Sequence, residues 1–255
     1  MDRMIYTALN ALSVNRDTRI SQAQNLANQN VPGFRRDLSN ETTTRFVDVV
    51  GSLQTRAFQM ESGPAGFSEA QGGLTRTDQD LDVAINGEGY FHVLPENGQP
   101  ALSRRGDMRR DIDGTLRNGA GDAMLNAAGA PIVLPDYNTI VITDIGEIFI
   151  EEIGAPPGAA PILAGVLATS SPGPDVPLYK GLDGEIRPNG DGPLPPADQL
   201  ANVKQGTLES SNVNVVEELL TSIEVQRGFE MGMRMVMTAR EMDESGARAM
   251  QAPEG

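Results

Sequence analysis

Cysteine and tryptophan are absent from this chain of 255 residues, histidine occurs once, and aromatic residues make up only 4%. Without cysteine there can be no disulfide, no thiol nucleophile and no thiolate metal site. Any Ser/His/Asp arrangement would have to be built on His92, and no Gly-x-Ser-x-Gly elbow accompanies it. Positive charge is also scarce: 20 Lys and Arg stand against 35 Asp and Glu, a net charge of −15. A polyanion repels phosphate backbones, which argues against a nucleic-acid partner. No apolar run reaches the roughly 18 residues a bilayer span needs. The stretch Met1 to Leu9 lacks the basic region and continuous apolar run of a cleavable secretory signal. A soluble protein without membrane insertion is the expectation. What the chain does contain is 28 Gly and 17 Pro, which indicate many turns rather than one dense globule. Its length suffices for one large or two modest domains.

The two ends differ in texture from the middle. Ile5, Leu9, Leu12, Ile20, Ala23, Leu26 and Ala27 fall on one side of a helical wheel, with Arg16 interrupting the stripe. Pro32 forces Val31 out of helical geometry and Gly33 allows a turn, so this helix should end near Asn30. At the other end, Asn214 with Glu217 three residues later reads as a capping box. Val216, Leu219, Leu220 and Ile223 form one stripe after it, whereas Val225, Phe229 and Val236 lie on roughly the opposite side. Met231, Met233, Met235 and Met237 alternate in a way that would also suit a strand, but helical neighbours and unbranched Met favour a helix apolar around most of its circumference. Gly228 and Gly232 should weaken it by about 1 kcal/mol each relative to Ala. Helices that find no large core of their own are marginal in water, so assembly is expected to supply the missing burial.

The middle predicts turn-rich antiparallel β structure. Leu81 to Ile85 and Tyr90 to Leu94 are strand candidates around an Asn86-Gly87 turn, and Asn97-Gly98, Asp113-Gly114, Asn118-Gly119, Asp183-Gly184 and Asn189-Gly190 repeat the reversal signal. Thr139 to Thr143 and Glu147 to Glu151 add β-branched alternation. Gly154 to Pro161, Ser171 to Pro177 and Pro188 to Pro196 read as loops, and the stretch from 36 to 72 shows no strong periodicity. His92, in an aromatic strand pattern, is expected to be a cross-strand neighbour rather than a base. Asp78, Asp80 and Asp82 fit the solvent side of a strand better than a cation site, and Asp111 to Gly114 fits a hairpin turn better than a calcium loop. No metal or cofactor is expected.

One further pattern is more specific. Asn25-Leu26-Ala27-Asn28, followed by Pro32-Gly33-Phe34, resembles the N-terminal signature of bacterial flagellar basal-body rod and hook proteins. Gly73 to Thr75 with Leu81 to Phe91, then Ser103 to Gly106 with Asp113 to Leu116, are similar to that family's central blocks. Gln205 to Glu218 resembles its entry to the C-terminal helix. Four blocks in order over nearly the whole chain carry the resemblance, and the opening residues and length look most like the proximal rod members, with the distal rod members next. Val31 stands where the family usually has Thr or Ser, and Gly228 where it has Ala or Ser.

The resemblance implies an α+β protein in which N- and C-terminal helices pair in a coiled-coil-like inner domain beneath a β-rich outer domain. The expected division is 1–35 and 204–255 helical, 36–72 a connector and 73–203 the β domain. The implied role is a structural segment of the periplasmic rod, exported through the flagellar apparatus without a cleaved signal, polymerising with copies of itself and other rod proteins to transmit torque. Ile5, Leu9, Leu12, Ile20, Leu26, Val216, Leu219, Leu220, Ile223, Val225, Phe229, Met233 and Val236 are the expected subunit-interface residues. The competing readings are an oligomeric carbohydrate- or peptidoglycan-binding module and a cell-wall enzyme.

Overall fold

The computed structural model describes residues 2–38, 43–46, 58–61, 66–154, 156, 159–173, 176–190 and 192–250, and side chains within 12–38 and 66–248 of these ranges. Ile5 and Leu9 therefore belong to a described helix, while their side chains lie outside the described residues. The chain forms two compact units, residues 1–27, 37–66 and 214–255 in the first and residues 28–36 and 67–213 in the second.

In the first unit, α1 (Asp2–Ala27) and α2 (Val215–Met250) accompany the antiparallel pair β1 (Thr43–Phe46) and β2 (Phe58–Glu61). The helices run antiparallel: Asn25 of α1 meets Glu218 of α2, Asn15 lies at Gly228 and Leu12 at Gly232. The first helix stops at Ala27, a turn earlier than Pro32 requires, and Val31 N–H bonds back to the Asn28 carbonyl. Asn214 caps α2 as expected, its Oδ1 accepting from Val216 N–H at 3.1 Å and Glu217 N–H at 3.4 Å.

The second unit is a set of antiparallel sheets, so the α+β class holds. Its strands are β3 (Leu74–Arg76), β4 (Val83–Asn86), β5 (Tyr90–Leu94), β6 (Ala101–Ser103), β7 (Arg109–Arg110), β8 (Leu116–Arg117) and β9 (Ala123–Met124). After them come β10 (Tyr137–Ile142), β11 (Glu147–Glu152), β12 (Ile162–Val166), β13 (Thr169–Ser170), β14 (Leu178–Lys180), β15 (Ile186–Pro188), β16 (Asn202–Gln205) and β17 (Thr207–Glu209). The largest sheet follows the order β14-β15-β6-β5-β9-β8-β7, with β13 also on β5, and a three-stranded sheet runs β10-β11-β12. Two pairs, β16 with β4 and β17 with β3, join the end of this unit to its beginning. Val83, Ile85, Phe91, Val93, Leu116, Met124, Ile148, Ile150 and Leu167 form the centre of the core. Alternation places them there: in β11, Ile148 and Ile150 point inward while Glu147, Phe149 and Glu151 do not.

Within the stretch 204–255, β16 and β17 run as strands as far as Glu209, paired with β4 and β3, and α2 begins at Val215. The stretch from 36 to 72 contains the β1–β2 pair. Asp78 and Asp80 sit in a turn, not on a strand, with Asp78 in the left-handed region at φ 57° and paired to Arg76 at 2.5 Å. Asp111 to Gly114 is the turn between β7 and β8, closed by Gly114 N–H on the Asp111 carbonyl.

Candidate functional site

In the second unit the four sequence blocks, far apart in the chain, converge on one carboxylate. Glu209, the last residue of β17, is 1% exposed. Its Oε2 accepts from Arg104 Nε at 2.8 Å, and its Oε1 from Arg35 Nη1 at 2.9 Å and Gly72 N–H at 3.0 Å. Arg104 reaches on to the carbonyls of Gly89 at 2.6 Å and Gly87 at 2.8 Å, fixing the turn between β4 and β5. Arg35 also donates to the Ala70 carbonyl. Burial lowers the Arg104 pKa and the Glu209 charge opposes that shift.

Backbone bonds complete the arrangement. Gly33 N–H donates to the Glu209 carbonyl at 2.7 Å. A side chain at Gly33 would lie 2.3 Å from the Arg104 carbonyl oxygen, and its φ of 67° suits glycine, so the Pro32-Gly33 exit needs this residue. Asn212 then bridges the two passages of chain that lead to the helices: its Oδ1 accepts from Arg36 N–H at 2.6 Å, and its Nδ2 donates to the Ala70 carbonyl at 2.7 Å and the Ser68 carbonyl at 3.1 Å. Lys180 sits over the Phe34 ring at 3.6 Å. The lock performs no chemistry. It holds the segment after α1 and the segment before α2 side by side.

In the first unit Asn25 has the corresponding task. Its side chain exchanges two hydrogen bonds with the Asp37 backbone, at 2.8 Å and 2.9 Å, and donates to Glu218 Oε1 at 3.1 Å. Along α2 the buried positions are Glu218, Val225, Gly232 and Ala239, a strict seven-residue recurrence. Leu12, Asn15 and Asn25 of α1 meet this face, so the seam mixes small, polar and apolar side chains. Gln22 Nε2 of α1 is buried without a hydrogen-bond partner among the described residues, a cost on the order of 1–3 kcal/mol.

The apolar stripes point elsewhere. Leu219 and Ile223 are 51% and 50% exposed, and Val216, Leu220, Phe229, Met231, Met233, Met235 and Met237 are exposed with them, as is Ile20 on α1. Leu12, Leu26 and Val236 are half-buried. Val225 departs from the expected interface set, because the seven-residue recurrence carries it into the seam, where this chain covers it.

The titratable groups of the β unit with shifted pKa values are held by neighbours. His92 bonds through Nε2 to Ser170 Oγ at 3.0 Å and pairs with Leu102 across β5 and β6, the cross-strand role expected of it. Burial lowers its pKa, and Ser170 is only 1% exposed. The nearby Asp198 carboxylate is occupied by the Ser171 and Leu200 amides. Glu185 is a second buried acid, hydrogen-bonded to Ser103 and Asp122. Desolvation, reinforced by the Asp122 charge, raises its pKa from 4.5 to about 8. Among the described residues no group of three His, Asp or Glu side chains could hold a metal, and no helix is long and apolar enough to cross a membrane.

Sequence reasoning marked Asn25, Pro32, Gly33 and Phe34 but assigned no role to Arg35, Arg104, Glu209 or Asn212. Three charged residues embedded in otherwise glycine-rich or apolar blocks were the available signal. Their partnership was not, because it spans up to 174 positions between residues 35 and 209.

Comparison with known proteins gives the same picture. Residues 204–249 match the family model described as flagellar basal body rod FlgEFG protein C-terminal, and residues 84–150 match flagellar hook protein FlgE/F/G D1 domain. The chain is 33% identical to flagellar basal-body rod protein FlgF of Escherichia coli strain K12, over 98% of both chains. Identity to the FlgF of Salmonella typhimurium strain LT2 is 32%, again over 98% of both. It is 30% identical to flagellar basal-body rod protein FlgG of Buchnera aphidicola subsp. Acyrthosiphon pisum, over 86% of this chain and 89% of that one.

Proposed function

The chain belongs to the bacterial flagellar basal-body rod protein family as a structural subunit, and from that membership we propose that it builds the proximal rod, its helices packing axially against copies of itself and other rod proteins. One observation carries the reading: α2 keeps apolar side chains exposed at Leu219, Ile223 and the methionines while its buried seven-residue seam is spent on α1. A monomer would leave that face in water; neighbouring subunits would bury it. The recurrence of Glu218, Val225, Gly232 and Ala239 supports coiled-coil-like pairing of the two helices. The rod-protein names of its relatives support a non-enzymatic role. Passage through the flagellar export apparatus to the periplasmic rod belongs to the same proposal.

The proximal position is supported by the 33% identity over 98% of both chains to the FlgF of Escherichia coli, against 30% over 86% of this chain to the FlgG of Buchnera aphidicola subsp. Acyrthosiphon pisum. A double substitution, Leu219→Glu with Ile223→Glu, tests the role in a strain lacking the native protein. The expected result is a β unit that melts normally, no incorporation into basal bodies and no motility. Normal rods built from this variant would refute the reading, and retention of the purified protein on insoluble peptidoglycan would favour a binding module instead.

A further inference from the structure

The sheet β10-β11-β12 has two edges, and the chain treats them differently. The β10 edge is plugged by one side chain: Gln205 Oε1 accepts from Ile142 N–H at 3.1 Å while its Nε2 donates to the Ile140 carbonyl at 3.1 Å. The β12 edge has no such cover. Residues Ile162 to Val166 pair with β11 on one side, and none of them makes a backbone hydrogen bond on the other among the described residues. Natural edges are usually blunted by charge or by proline within the strand; Ile-Leu-Ala-Gly-Val carries neither, and the bulge falls past Leu163.

Beside this edge runs an apolar row on the outer face. Val141, Phe149 and Leu163 are directly registered across the three strands, and Val141 and Leu163 are 52% and 53% exposed. The rows flanking it are acidic: Glu151, opposite Thr139, on one side and Glu147 on the other. Neither glutamate has an ion-pair partner among the described residues.

We propose that the β12 edge is a docking site for an extended strand of a different protein, one whose outward residues read basic, apolar, basic at every second position. The unpaired backbone specifies an extended strand over a helix. The apolar outward residue continues the Val141–Phe149–Leu163 row, and the basic ones answer Glu147 and Glu151, about 10 Å away across two strand spacings and within reach of Lys or Arg. A second copy of this chain is disfavoured, since pairing two β12 edges would bring both sets of glutamates onto one acidic face. This surface is independent of the helices.

The test uses the full chain, labelled with nitrogen-15, and the peptide acetyl-Thr-Arg-Thr-Val-Thr-Arg-Thr-amide. Expected are amide shifts centred on Ile162 to Val166, with affinity falling about tenfold when both arginines become glutamate and falling also in the Leu163→Lys and Glu151→Lys variants. Both substitutions are at exposed positions, and circular dichroism confirms that the variants fold. Equal binding of the acidic peptide, shifts away from β12, or self-association of the chain that Leu163→Lys abolishes would each overturn the proposal. None of these results bears on rod incorporation, which is read by the helix variants.

Discussion

Glu209 faces two guanidinium groups with almost no water near it, and that balance makes it the most sensitive residue in the β unit. Glu209→Gln leaves Arg35 and Arg104 buried with no counter-charge, so the midpoint of urea unfolding should fall by the equivalent of about 3–5 kcal/mol. A loss below about 1 kcal/mol would show that the triad contributes little. Glu185 gives the opposite kind of prediction. In the unfolded chain it titrates at its ordinary value of 4.5, and in the folded protein at about 8. The folded form therefore holds a proton that the unfolded form has lost between those values, and stability is full below pH 4.5, declines as pH rises towards 8, and levels off above it. The slope is about 1.4 kcal/mol per pH unit within the window. Glu185→Gln should remove this decline, raising the melting temperature at pH 8 relative to the native protein while leaving it similar at pH 4.5; parallel pH profiles for the two proteins would contradict the buried-acid account.

Among elements, α2 was the most legible and the most misjudged. Its start at Asn214 follows from capping chemistry, and its exposed stripes follow from periodicity. The face it turns to α1 follows only in part from apolar patterning: Leu12 and Val225 belong to the stripes, but Asn15, Asn25, Glu218 and two glycines share the seam and score as surface. Gly232 has a role that propensity alone conceals: a Cβ there would lie 3.0 Å from Leu12 Cδ2, so α1 occupies the space a side chain would need. Gly232→Leu should separate the helices and lower ellipticity at 222 nm. At Gly228 the nearest neighbour is the mobile Asn15 amide at 3.3 Å, and Gly228→Ala should instead raise helix stability by up to about 1 kcal/mol. The β strands were readable wherever β-branched alternation met an Asn-Gly or Asp-Gly reversal, as at β5 and β11. They were unreadable at β16 and β17, where short polar strands exist only because distant partners complete them.

For the whole molecule, two locks that keep the ends of a 255-residue chain together, with an apolar helix face left bare, describe a part awaiting neighbours. Helix content measured by circular dichroism should be low in dilute protein and rise with assembly partners; a fully helical monomer whose ellipticity does not change with concentration would contradict this. By itself the sequence determined the class, the presence of two terminal helices and the turn-rich middle, because these depend on local periodicity, capping and turn chemistry, and its four ordered blocks carried the likeness to the family. Tertiary structure alone decided which charges share a buried site, which helix face meets its partner, and which sheet edge stays open. Those outcomes depend on pairings between residues more than sixty positions apart, where a charge that reads as surface in sequence becomes interior only once its counter-charge arrives.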